Sequence, residues 1–149
     1  EYWADDRFAD WMAQTLVHVV DSRYRTRATR DARALTGASL GGTISVWAAL
    51  RHPETFARVG GQSAALQIDE ERVVNALAKL DDDTRRRYPL RFYFDAGRYE
   101  PLILDLGRRA SVMLAARGYP VTYRESAVGH NYTAWRDRLA DALTALWAK

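Results

Sequence analysis

The feature that most constrains this chain is a serine set among small residues, Gly37-Ala38-Ser39-Leu40-Gly41, with Gly42 and Thr43 behind it. The run that leads into it, Ala32-Arg33-Ala34-Leu35-Thr36-Gly37, reads as a short buried strand. Gly41-Gly42-Thr43 then opens a helix with Ile44, Trp47, Ala48 and Leu50 on its inner side, and Pro53 cannot continue it. A strand that turns into a helix within so few residues needs a sharp bend, and Gly37 and Gly41 let the backbone pack closely around Ser39. Such a bend carries the central side chain beyond the end of the sheet.

The rest of the chain repeats the strand-then-helix pattern. Phe8, Trp11, Met12, Leu16, Val19 and Val20 recur at helical spacing and predict an amphipathic helix over 6–21 with one buried face. Residues 56–63 read as a strand ending in a glycine turn. Asp69 is placed to cap a helix displaying Val73, Val74, Leu77 and Leu80, and a charged break over 81–87 ends it. The clearest strand is Arg91-Phe92-Tyr93-Phe94-Asp95-Ala96-Gly97, followed by a helical stripe of Ile103, Leu106, Ala110, Met113 and Leu114 that Gly118-Tyr119-Pro120 stops. Residues 121–126 form the next strand. A last helix begins at about Thr133 with Trp135, Leu139, Leu143 and Leu146 inward.

This order predicts one α/β domain over 1–149, a mainly parallel sheet with helices on both faces joined by right-handed crossovers. Opening on a helix leaves one side of that sheet without its expected neighbours. The expectation is therefore an N-terminally incomplete fold, finished by a missing segment or a second chain.

Composition removes other classes. With 48% apolar and 28% charged residues the chain is an ordinary globular one. Its net charge, 22 − 19 = +3, is scattered rather than gathered into a basic block, which argues against nucleic acid. No run approaches the roughly eighteen apolar residues of a membrane span. Zero cysteines exclude disulfides and thiol catalysis without choosing a compartment. The segment from Gly37 to Thr43 lacks the lysine of a phosphate-binding loop, and the acidic runs 69–71 and 81–83 lack the spacing of a calcium loop. No metal or cofactor is expected.

A serine hydroxyl becomes a useful nucleophile only when a base takes its proton and a carboxylate orients that base. Of three histidines, His18 lies inside the first helix and His52 at the far end of the helix that begins at Ser39. His130, between the last strand and the last helix, falls at the same sheet edge as Ser39 and is the best base. The acid belongs on the loop after the intervening strand, where Asp95 and Glu100 both qualify. Glu100 is favoured because it follows Gly97-Arg98-Tyr99 on the loop, and Asp95 stays the alternative. The N–H of Leu40 is placed to bind an oxyanion.

These residues resemble the α/β-hydrolase esterase family that includes esterase D, feruloyl esterases, mycolyltransferases and enterochelin esterases. The likeness covers nearly the whole chain. Thr36 to Gly42 with Ala49-Leu50-Arg51-His52-Pro53-Glu54-Thr55-Phe56 is similar to the family's nucleophile region, and Gly61-Gln62-Ser63 to its next strand end. Asp95 to Ile103 resembles the acid-bearing loop of enterochelin esterases, and Gly129-His130 with Trp135-Arg136 resembles their histidine loop. Two places depart from the pattern: Asn131 stands where the family often has aspartate, and Ser63-Ala64-Ala65-Leu66 where it often has Ser-Gly-Ser and aromatics. The resemblance implies a Ser39, Glu100, His130 triad in the C-terminal part of an α/β-hydrolase. It implies a carboxylesterase working through an acyl-enzyme, with a siderophore ester as first substrate class. The alternatives are an acyltransferase or feruloyl-type esterase with the same triad, or a non-catalytic binding module of the same fold.

Overall fold

The computed structural model describes residues 3–148. Its helices are α1 (Asp6–Trp11), α2 (Val17–Arg23), α3 (Leu40–Arg51), α4 (Ile68–Ala78), α5 (Asp82–Arg87), α6 (Pro101–Ala116) and α7 (Tyr132–Trp147). The strands β1 (Ala34–Ala38), β2 (Arg58–Gln62), β3 (Arg91–Gly97) and β4 (Val121–Ser126) form one parallel sheet in the order β1-β2-β3-β4. Sequential order with crossovers of one hand puts the crossover helices on one face. The core agrees. Phe92 and Phe94 of β3 pack with Val59, Ile44, Val73, Leu77, Leu106 and Leu114, whereas Tyr93, between them, packs with Ala142 and Leu146 of α7. Alternate residues of a strand face opposite ways, so among the described residues α7 is the helix that covers the second face. Each fully buried phenylalanine contributes roughly 1.5–3 kcal/mol, and Tyr119 meets Phe92 edge-on at 5.7 Å.

Four local expectations are corrected. The first helix is interrupted by a π-turn, Met12–Leu16, whose wider winding rotates the residues after it. Met12, Ala9 and Ala13 are buried, while Trp11, Leu16, Val19 and Val20 from the expected inner face are exposed. The charged break contains a helix, α5, capped when the Asp81 carboxylate accepts from Thr84 N–H at 2.8 Å. That hydrogen bond holds the Asp81 carboxyl below its ordinary range. Asp69 does not cap α4: together with Glu70 and Glu71 it turns through left-handed backbone at the start of the element.

The last correction concerns α7. Its buried residues are Ala134, Arg138, Ala142 and Leu146, and Leu139 and Leu143 are exposed. Two stripes at the same spacing compete on this helix, and the one turned inward carries Arg138 to the buried Asp95 and Leu146 against Gly60. A Cβ at Gly60 would stand 3.3 Å from Leu146 and 2.9 Å from Thr36 Oγ1. The helix starts on Asn131, whose side-chain oxygen accepts from Ala134 N–H at 3.0 Å. Asn131→Ala is expected to lower stability by about 1 kcal/mol, read as a lower urea midpoint at unchanged slope.

Candidate active site

At the C-terminal end of β1 the chain makes the bend that the sequence demands. Ser39 has φ 54° and ψ −123°, a conformation that serine adopts only under constraint. Its backbone is held on both sides. Ser39 N–H donates to the Gln62 carbonyl at 2.9 Å, and the Ser39 carbonyl accepts from Gly42 and Thr43 at 3.0 and 3.1 Å. A Cβ on Gly37 would overlap the Gly41 carbonyl, and one on Gly42 would stand 3.0 Å from Ala64 Cβ. Gly41 is a correction, since a Cβ there meets nothing within 4 Å. The close packing needs Gly37 and Gly42, with Gly41 offering its backbone.

Serine at a helix start ordinarily turns its hydroxyl back onto the first amides. Ser39 makes no such bond. Its Oγ lies 2.8 Å from His130 Nε2, and His130 Nδ1 is hydrogen-bonded to Glu100 Oε1. The loops after β3 and β4 bring these side chains together by bonding to each other: Arg98 N–H donates to the Ser126 carbonyl at 2.8 Å and Tyr99 N–H to the Val128 carbonyl at 3.3 Å. Gly97 makes this possible, because a Cβ there would overlap the Val128 carbonyl. The His130 ring meets Trp135 edge-on at 4.8 Å, which limits its swing. Glu100 is buried and His130 partly open, its side chain 39% exposed. Leu40, the candidate oxyanion donor, is the first residue of α3, where backbone N–H groups point outward.

The other candidates lie elsewhere. His18 is exposed on α2. His52 is held between Asp10, 2.8 Å from its Nε2, and Glu54, 3.0 Å from its Nδ1, and ties the end of α3 to α1. Asp95, the alternative acid, is buried, and none of its hydrogen bonds goes to His130. It accepts from Arg138 Nη2 at 2.9 Å, from the Tyr93 hydroxyl at 2.9 Å and from Ser63 N–H at 3.2 Å. Burial pushes the Asp95 carboxyl above its ordinary range, while the Arg138 guanidinium, the Tyr93 hydroxyl and the Ser63 N–H pull it back. Burial, with the Asp95 charge beside it, also drives the Tyr93 phenol well up, so it remains a donor.

Two residues of this region escaped the sequence reading. Ser63 was legible only as a strand end, and Arg138 carried no reading of its own. The available signal for Arg138 was its place on the alanine stripe, four residues from both Ala134 and Ala142. Among the described residues no group of three or more His, Asp or Glu side chains is placed to hold a metal ion. No helix among them is long and apolar enough to cross a membrane.

A hollow of about 270 Å³ opens beside His130 and Glu100, lined also by Gln67, Tyr99, Pro101, Leu102 and Ile103. A separate groove of about 350 Å³ lies away from this chemistry, along the free side of β1, among Leu16, Val17, Val20, Leu35, Phe56 and Trp147.

The iron(III) enterobactin esterase of Escherichia coli (strain K12) is 30% identical over 148 residues, covering 92% of this chain and 36% of the relative. The chain thus spans little more than a third of that protein. A solved enterobactin esterase from Shigella flexneri, determined in the presence of enterobactin, superposes with a TM-score of 0.85 at 24% identity, over 99% of this chain and 38% of that one. A ferulic acid esterase superposes with a TM-score of 0.80 at 19% identity, over 93% and 60%. At these identities the structural likeness speaks for the α/β fold. Residues 1–146 match the family described as "Putative esterase", and since that match runs along nearly the whole chain, this protein belongs to that esterase family.

Proposed function

We propose that this chain carries the catalytic residues of a serine carboxylesterase. The observation that carries the reading is the unbroken hydrogen-bonded series Ser39 Oγ, His130 Nε2, His130 Nδ1, Glu100 Oε1 at the C-terminal edge of the sheet. In this reading His130 takes the Ser39 proton as Oγ attacks the ester carbonyl. Glu100 holds the imidazole and stabilises its cation. The carbonyl oxygen becomes an anion bound by Leu40 N–H. As the tetrahedral adduct collapses, the same proton passes from His130 to the departing alcohol, and an acyl-Ser39 remains. Water, deprotonated by His130, then releases the acid and restores the serine.

The substrate class we propose is an ester of a siderophore, with one side of the ester seated in the hollow beside His130; two relatives that carry enterobactin in their names support it. We further propose that the sheet continues beyond β1 in the complete protein and that the added segment supplies a second oxyanion N–H. The support is the edge position of β1, the apolar groove beside it, and the exposed Leu139, Leu143 and Trp147 of α7.

An active-site-directed fluorophosphonate tests the central claim. In the complete protein the reagent is expected to label wild type and to leave Ser39→Ala unlabelled. Labelling that survives the substitution, or is absent from both, sinks the serine-esterase reading.

A further inference from the structure

Behind the Ser39, His130, Glu100 series lies a buried polar cluster that the proposed mechanism leaves idle. Ser63 sits at its centre. It follows β2 with a left-handed φ of 45°, unusual for a residue with a side chain, and it is fully buried. Its Oγ is 2.9 Å from Glu100 Oε2 and 3.3 Å from Arg138 Nη2. A guanidinium only donates, and an ionised carboxylate only accepts. The one proton of the Ser63 hydroxyl therefore goes to Glu100, while its oxygen accepts from Arg138. The same Glu100 oxygen accepts from Gly97 N–H at 2.5 Å. Oε2 is thus held by two donors, and Oε1 is the oxygen left for His130.

This matters because the terminal torsion of a glutamate is broad and nearly two-fold, so an unheld carboxylate samples many rotations. Arg138 adds to the effect. Its Nη2 divides between Asp95 and Ser63, and a hydroxyl that accepts from a cation is a stronger donor onward. Asp95 in turn anchors the cluster through the Ser63 N–H and the Tyr93 hydroxyl. The left-handed turn at Ser63 points the hydroxyl across the sheet edge to the loop after β3.

We propose that Ser63 is a positioning residue of the active site: backed by Arg138, its hydroxyl locks the Glu100 carboxylate so that Oε1 meets His130 Nδ1. The consequence for catalysis rests on the serine-esterase reading, whereas the locking itself does not.

The test uses the complete protein and two substitutions. Ser63→Gly deletes the hydroxyl at a backbone conformation that glycine adopts freely. Ser63→Ala deletes it with the backbone demand unchanged. Proton NMR reads the His130 Nδ1–H as a far-downfield resonance, assigned by its loss in Glu100→Ala, and fluorophosphonate labelling gives the rate of Ser39 acylation. Both Ser63 variants are expected to shift or broaden the resonance and to slow acylation about tenfold, the size of one hydrogen bond to a charged group. In a Glu100→Ala background the same substitutions are expected to slow it no further. A resonance unchanged in both variants overturns the proposal, as does an equal slowing with and without Glu100. A shifted resonance in a protein that shows no Ser39-dependent labelling upholds the locking and sinks the serine-esterase reading alone.

Discussion

Replacing His130 with alanine is expected to slow acylation of Ser39 by on the order of 10⁴-fold or more while leaving the fold intact. The size follows from the role proposed for the ring. Ser39 Oγ has one base within reach, 2.8 Å away, and without it the hydroxyl must attack while still protonated. Stability is little touched, because the His130 side chain is partly exposed and spans the site rather than filling the core. Residues that act as a unit are far from additive, so His130→Ala in a Ser39→Ala background should remove almost nothing more. Stopped-time labelling with a fluorophosphonate, beside urea unfolding of the same samples, checks both halves. A loss below about tenfold would remove His130 from the base's role.

Arg138→Met is expected to be the most destabilising single change in this part of the molecule, by about 3–5 kcal/mol at neutral pH. The pair it breaks is buried on both sides: Arg138 and Asp95 side chains are 8% and 0% exposed. Methionine fills much of the space but leaves a buried carboxylate with only neutral donors, the Tyr93 hydroxyl, the Ser63 N–H and a long contact from Gln62 Nε2. The cost should depend on pH in a definite sense. Burial already holds the Asp95 carboxyl above its ordinary range, and Arg138 is the largest influence opposing that rise. Without Arg138 the folded-state value climbs further above the unfolded one, so the folded protein binds the proton more tightly. The variant's deficit is therefore smallest in acid and grows as pH rises through the raised folded-state value. Adding Asp95→Asn removes the stranded charge and should recover a large part of the loss. Urea midpoints across the acidic-to-alkaline range, for wild type and the two variants, check the size and the sign.

The two replacements probe layers of one site that differed in how plainly the amino acids announced them. Ser39 stood out because a strand-to-helix bend requires small residues at particular offsets, and those requirements are written in consecutive positions. His130 and the two candidate acids could be found from chain order, since loops that follow parallel strands gather at one edge. The choice between Asp95 and Glu100 could not be closed locally. Asp95 lies near the end of β3 and Glu100 three residues past it, and only the bonds between the loops after β3 and β4 aim Glu100 at His130 and leave Asp95 to Arg138. The face of α7 was misread for a related reason. Leu139 and Leu143 are the more apolar choice, but the stripe that turns inward is the one that brings Arg138 to Asp95 and Leu146 against Gly60.

What the sequence determined by itself was everything carried by local periodicity and turn chemistry: the alternation of strands and helices, the parallel sheet, the bend at Ser39 and the edge at which His130 arrives. What only the tertiary structure decided was the pairing of charges and the inward faces of the first and last helices. The first group depends on residues a few positions apart, whose steric demands any chain must meet. The second depends on distances between elements 30 to 91 residues apart, which no local pattern encodes. There a buried cation such as Arg138 is tolerable only because its carboxylate has come to meet it.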